Sequence, residues 1–243
     1  MKTIAKKIDE ICRVSKQGLT PKSVVDDLMQ VLFNALVGEG LFRLAFPSGD
    51  LRVDSSFYRE LDQYRADPEA WERLGDIAED YLLLMKSRDP FTDLVGSLYS
   101  QIRLNIKWGQ FLTPWPVATG LTGFHNIDLR DGKHILFGDT GGCGAGTLLL
   151  AQLQDLYERQ PARLRQVHVV ALDIDWHMVI MSTVQIVYPL LACNIELGSF
   201  RNYCGHGIID YDRPTPAMTF IPDLKNWKAF HEQRDMKDET FFL

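Results

Sequence analysis

The sequence predicts an α/β protein, helical over residues 1–107, with a parallel sheet over residues 108–225 and a polar tail over residues 226–243. Three observations carry this reading. The N-terminal stretch repeats its apolar residues at the helical spacing of three and four. After Lys107, short apolar runs alternate with helical segments, the pattern of βαβ units. Between the first such run and its helix lies a loop, Gly138 to Thr147, in which five of ten residues are glycine.

The elements follow in order. Thr20-Pro21 opens a helix, since proline suits the first helical turn. Val24, Val25, Leu28, Val31, Leu32, Ala35 and Leu36 then recur on one face, and Gly38 and Gly40 end it. Pro47-Ser48-Gly49-Asp50 reads as a turn. Residues 57–64 and 68–85 read as two further helices, with Asp67 capping the second. Residues 90–106 read as the last helix of this region, with Leu94, Leu98, Ile102 and Ile106 on one stripe. In the second region, residues 134–138 are a short strand that runs into the glycine loop, and residues 147–159 are the helix after it. Residues 167–172 (VHVVAL) are a second strand of the fully buried type, ending at Asp173. A long helix over about 176–191 and a third strand with its end over 199–207 complete the pattern.

Composition bounds the function. The chain has 243 residues, 46% hydrophobic and 24% charged, which is ordinary globular usage and excludes a disordered or rod-like protein. No apolar run approaches the roughly 20 residues that a membrane-spanning helix needs. The first residues carry scattered charges and no apolar core, so they are not read as a secretory signal. Cys12, Cys143, Cys193 and Cys204 show no C-x-x-C spacing, which points to structural thiols in a reducing cytoplasm rather than to zinc or redox chemistry. The net charge is −6, and both regions carry more acidic than basic residues. A weak cluster at Lys2, Lys6, Lys7, Arg13 and Lys16 is all that resembles a basic patch, which counts against tight, unaided DNA binding.

The residues with chemical potential gather at the predicted carboxyl ends of the strands, where parallel sheets bind their ligands. Glycine permits positive φ and close backbone approach, and the helix after the loop offers free N–H groups. The loop therefore reads either as a nucleotide cradle or as a plain strand–helix turn. An acidic residue at the end of the second strand can bind ribose hydroxyls. Asp173 holds that place, and Asp175 doubles as a helix cap.

Upstream, Trp108-Gly109-Gln110-Phe111-Leu112-Thr113-Pro114-Trp115-Pro116-Val117 reads by chemistry alone as an aromatic, proline-containing turn. Gly109 to Pro114 (G-Q-F-L-T-P) resembles the G-Q-F-[FY]-T-P segment of the adenine-specific DNA methyltransferase family, the type seen in modification subunits of type I restriction systems. The stretch from Asp89-Pro90-Phe91-Thr92-Asp93 to Tyr99 is similar to D-P-L-G-D-x-Y in phage and mobile-element members. The resemblance covers residues 89–212, about half the chain. It implies a Rossmann-like sheet of the S-adenosylmethionine-dependent type, shortened here, with methyl transfer to an adenine amino group and S-adenosyl-L-methionine as cofactor.

The resemblance also implies a set of cofactor residues. Gln110, Phe111, Thr113 and Pro114 form the first segment. Cys143, Gly144, Ala145 and Gly146 match the C-G-x-G core of the family loop. The loop aspartate of the family falls at Thr140, one residue after Asp139. Asp173, Ile174 and Asp175 occupy the acidic strand end. His206, in Cys204-Gly205-His206-Gly207, sits where the family has a turn near the adenine, and reads equally as a solvent-facing turn residue.

The family's catalytic [DNS]-P-P-[YFW] motif has no counterpart, because the sequence contains no Pro-Pro dipeptide. The nearest stretch, Asp212-Arg213-Pro214-Thr215-Pro216, lacks the aromatic that would stack on a flipped base. The competing expectation is a methyltransferase-like protein that binds without catalysing, as a regulatory subunit or a decoy against restriction. A partner subunit or a second copy of the chain is expected, with DNA as a further partner. A dehydrogenase is disfavoured by the lack of a clean G-x-G-x-x-G.

Overall fold

The computed structural model describes residues 1–38, 40–102, 112–123, 132–209 and 214–235. The elements are α1 (Lys2–Val14), α2 (Pro21–Gly38), α3 (Leu41–Ala45), β1 (Asp50–Val53), α4 (Pro68–Lys86), α5 (Leu94–Gln101), α6 (Trp115–Thr122), β2 (Ile135–Asp139), α7 (Thr147–Arg159), β3 (Val167–Asp173), α8 (Trp176–Ala192), β4 (Ser199–Cys204), β5 (Thr215–Ile221) and α9 (Leu224–Asp235). Five strands form one mixed sheet in the order β1-β5-β4-β3-β2. β2, β3 and β4 run parallel, while β5 is antiparallel to both β4 and β1. This is an open α/β sheet compatible with a Rossmann-like fold. Among the described residues, no helix is long and apolar enough to cross a membrane.

Alternation along the strands assigns the two faces. Phe200 and Asn202 of β4 face α8, where Asn202 Nδ2 donates to Val179 O at 2.9 Å and to Ser182 Oγ at 2.8 Å. Arg201 between them points the other way and lies over the Trp227 ring of α9. In β3, Val167, Val169 and Ala171 join the main core, whereas His168 stacks on Phe230 of α9. One face is thus thickly covered by α7 and α8, with the N-terminal helices packed behind them, and the other receives α9.

The N-terminal helices share this core. Ile4, Ile8 and Ile11 of α1 and Leu28, Leu32 and Phe33 of α2 are buried in the same cluster as Val184 and Ile186 of α8. Tyr188 of α8 donates its hydroxyl hydrogen to Leu32 O at 2.8 Å. Phe200 and Phe220 sit opposite each other on β4 and β5, and Phe42 and Phe46 meet Phe220 edge to face. Burying each such ring contributes about 1.5–3 kcal/mol. Asp67 caps α4 by accepting Ala70 N–H, and its other oxygen accepts Ser15 Oγ–H and Lys16 N–H. That carboxylate fastens the end of α1 to the start of α4.

Several expectations need correction. The N-terminal region is not wholly helical: residues 50–53 form β1, an outer strand too short to show a period of its own. Its partner β5 supplies the register, Leu51 opposite Phe220. Residues 57–64 are not one helix: two 3-10 turns, Ser55–Phe57 and Asp62–Tyr64, flank an irregular stretch at 58–61, and Asp54 caps the first. The helix expected over 90–106 begins at Leu94, because Asp93 caps it through Gly96 N–H. Residues 114–117 do not form a turn: they open α6, with Pro116 in its first turn. Of the tail expected at 226–243, residues 226–235 are helical as part of α9, started by Asp223 accepting Lys225 N–H and held by Trp227 and Phe230 against His168, while 236–243 lie outside the described residues. β5 was hidden by Pro216, which usually argues against a strand. It is tolerated at a register shift, opposite Tyr203.

Candidate functional site

The parallel strands end at one edge of the sheet, and the glycine loop crosses it. Gly142, Gly144 and Gly146 adopt φ of 126°, 55° and 85°. Those left-handed values are why glycine is needed here. Gly146 is also tight, since a Cβ would stand 3.2 Å from Ser182 Cβ. The loop is therefore seated directly on α8. Cys143 is buried, its N–H donating to Leu172 O at 2.9 Å. Burial pushes its thiol well above the ordinary range, which suits a packing role. Ala145 and Gly146 are buried beside it.

Asp173 joins the loop to the next turn. Its Oδ2 accepts Gly144 N–H and its Oδ1 accepts Asp175 N–H, each at 2.8 Å. The residue is 7% exposed. Asp175 caps α8 through His177 N–H and also meets His177 Nδ1 at 3.0 Å. The His177 contact holds the Asp175 carboxyl below its usual value. Ile174 between the two acids is exposed. The turn after β4 closes over the same edge, because a Cβ on Gly207 would lie 2.2 Å from Thr140 O. His206 Nδ1 accepts the N–H groups of Ile208 and Ile209, both at 3.2 Å, which makes it a turn-forming residue.

The structure thus brings Thr140, Gly144, Asp173 and the His206 turn together at the end of β3. Gln110 and Phe111 lie outside the described residues. Thr113 and Pro114 line a separate cavity of about 360 Å³ with Asp93, Ser97, Gln101 and Trp115.

Asp139 differs from the other loop residues. It ends β2, and its Oδ2 is buried without a hydrogen-bond partner. Burial and the nearby charge of Asp173 raise its pKa. It lines a cavity of about 200 Å³ between α6, β2 and α7, walled by Ala118, Leu121, Phe137 and Leu149. Gln152 lines the same cavity, and its Nε2 is likewise buried and unpartnered. An orphan acceptor and an orphan donor in one apolar cavity equip it for a polar ligand group.

A buried network links the cavity at Thr113 to the loop. Asp93 is 3% exposed and accepts Gly96 N–H at 2.8 Å, Thr147 Oγ1–H at 3.0 Å and Gln185 Nε2–H at 3.2 Å. Gln185 also donates to Ala145 O and accepts Val95 N–H. Burial raises the Asp93 pKa against these hydrogen bonds. Gln152 and Gln185 escaped the sequence reading. A signal existed for Gln185, a lone amide inside the apolar run of α8.

Comparison with known protein families, curated proteins and solved structures finds no match for this chain. The site therefore stands on its own geometry. Among the described residues the loop-bearing strand β2 pairs only with β3. The strand order moves one way from β2 through β3 to β4, so these strands do not create the reversal at which doubly wound sheets form their ligand crevice.

Proposed function

We propose that this chain is an S-adenosylmethionine-binding protein of the adenine-specific DNA methyltransferase type. The observation that supports this most is the buried, unpartnered Oδ2 of Asp139 at the end of the glycine-loop strand. A cationic amino group, such as the one on the cofactor's amino-acid end, would satisfy that oxygen and offset the burial that raises the carboxyl. Thr113 and Pro114 would border the cofactor from their cavity, and the N–H groups at the start of α7 would face it. Asp173 fits less freely, since each of its oxygens already accepts a backbone hydrogen bond. When bound, the cofactor supplies a methyl group activated by its sulfonium. The chain's own part is to position it and keep water from it.

One observation favours a second reading, binding without catalysis as a regulatory subunit or an anti-restriction decoy. The sequence has no Pro-Pro motif to hold a flipped adenine. Methyl transfer would then need a partner subunit to supply that element.

Calorimetric titration with S-adenosylmethionine tests the binding reading, with NAD as control and Asp139→Asn as the site variant. The expected affinity is micromolar, about −8 kcal/mol, and weaker in the variant. No heat from the cofactor sinks the reading. Methyl incorporation into unmethylated DNA, with and without a partner subunit, separates the two forms of it.

A further inference from the structure

A third cavity lies beside the N-terminus of α8 and is lined by no residue of the glycine loop. It measures about 230 Å³ and is lined by Asp26, Asp27 and Gln30 of α2, Arg59, Glu60, Leu61 and Gln63 of the segment before α4, and Trp176 and His177. Two acceptors in it lack donors. Asp26 Oδ1 and Gln30 Oε1 are both buried and without a hydrogen-bond partner. They are four residues apart on α2, so they share one face of the helix.

The Gln30 amide cannot turn round to hide its oxygen. The residue is 2% exposed, and its Nε2 is engaged by Asn34 Oδ1 at 2.7 Å and Phe57 O at 2.9 Å. Those two acceptors fix the nitrogen and leave Oε1 unpartnered in a residue that lines the cleft. The other Asp26 oxygen takes Lys22 Nζ at 2.8 Å, with His177 Nε2 at 3.8 Å. Asp27 accepts hydrogen bonds from two neutral donors, Tyr64 Oη–H and Gln63 Nε2–H, and burial raises its pKa. The floor of the cleft thus asks for hydrogen-bond donors and tolerates positive charge.

The mouth asks for the opposite. Arg59 lies over the Trp176 ring, its Cζ 3.6 Å from the centroid, and among the described residues it has no carboxylate partner. Glu60 beside it is taken by Arg65. Stacking holds the guanidinium plane while leaving its edge N–H groups free for an anion. Among the described residues no group of three or more His, Cys, Asp or Glu could hold a metal ion.

We propose that this cleft binds a free α-amino acid, its ammonium on Asp26 Oδ1 and Gln30 Oε1 and its carboxylate on Arg59. Leu61 and the Trp176 ring leave an apolar wall for an aliphatic side chain. An ammonium brings three donors to two starved acceptors, and an adjacent carboxylate suits a stacked arginine. The site is independent of the cofactor reading, since no residue of the glycine loop lines it.

Titration calorimetry with leucine tests this, beside leucine methyl ester and N-acetyl-leucine. Leucine binds, and each derivative binds at least about tenfold more weakly, because each removes one charged end. Arg59→Met removes the carboxylate partner at an exposed position while an unbranched side chain still covers the Trp176 ring, so the fold is kept. It weakens leucine binding to about the level of the methyl ester. Asp26→Asn weakens all ligands that carry the ammonium. Asp139→Asn, in the other cavity, leaves leucine binding unchanged. No heat from leucine, or binding that both derivatives and both cleft variants retain, overturns the proposal.

Discussion

Asp173 Oδ2 accepts the backbone N–H of Gly144 at 2.8 Å, so the end of β3 fixes the loop that follows β2. The other oxygen does the same for Asp175 N–H at the start of the turn into α8. Asp173 is therefore a structural clasp first, whatever else it binds. Asp173→Ala strands two N–H groups at a largely buried site, at a cost of about 2–4 kcal/mol. Asp175→Ala removes a helix cap and costs about 1 kcal/mol. Urea unfolding of the two variants checks the order. Equal midpoints would show that the clasp carries no weight.

Gly146 carries the second structural demand of the loop. Its φ is 85°, and an added Cβ would stand 3.2 Å from Ser182 Cβ. Gly146→Ala combines left-handed strain with crowding against α8, for a loss of about 2–4 kcal/mol. Gly141→Ala is the control, since its φ is not left-handed and nothing lies within 4 Å of a Cβ there. Thermal melts of the pair distinguish a loop built on glycine geometry from one that merely contains glycine.

The half of the sheet that holds this loop was legible in the sequence. Residues 147–159 and 167–173 read correctly because apolar period and buried-strand composition agree with their tertiary setting. β1 and β5 were not legible, because four residues show no period and Pro216 argues locally against a strand that β4 nonetheless pairs. The chemistry was legible only in outline. Asp139 and Asp173 could be named from their place after strands, but which of them keeps a free oxygen depends on Gly144 and Asp175 N–H groups reaching one carboxylate and not the other. The cleft under Arg59 joins segments some 30 and 150 residues apart in sequence (Asp26, Arg59 and Trp176), and no local pattern announces such a meeting.

Gln185 ties α5 to the glycine loop through Val95 N–H, Asp93 Oδ1 and Ala145 O. Gln185→Leu fits the apolar surroundings but orphans a buried N–H and a buried carbonyl and takes one donor from a buried carboxylate. The expected loss is about 3 kcal/mol. The local signature is more specific than the global one. Amide exchange at Val95 in α5 should accelerate beyond the overall loss of stability, while amides of β4 should follow that loss alone. Uniform acceleration would mean that the network does not act as a joint.

His168 makes the fold sensitive to mild acid. It is fully buried, with Nε2 2.9 Å from His134 Nδ1 and Nδ1 3.0 Å from Ser199 Oγ, under the stacked ring of Phe230. Burial, then the neighbouring His134 and Arg201, lowers its pKa to about 3. The imidazole is thus neutral in the fold but takes a proton in the unfolded chain at about pH 6.5. Between those values the unfolded state binds more protons, so stability is complete above pH 6.5 and falls as the pH drops below it. The slope from this one residue reaches at most about 1.4 kcal/mol per pH unit. Asp93 and Asp139, whose pKa values burial raises, act in the opposite sense: their cost is relieved as pH falls through their folded values. His168→Gln removes only the first contribution. Urea midpoints taken from pH 7.5 down to 5 should therefore decline more steeply for the parent protein than for the variant, with α9 fluorescence from Trp227 reporting the loss. Parallel curves would mean that His168 takes up its proton as readily in the fold as in the unfolded chain.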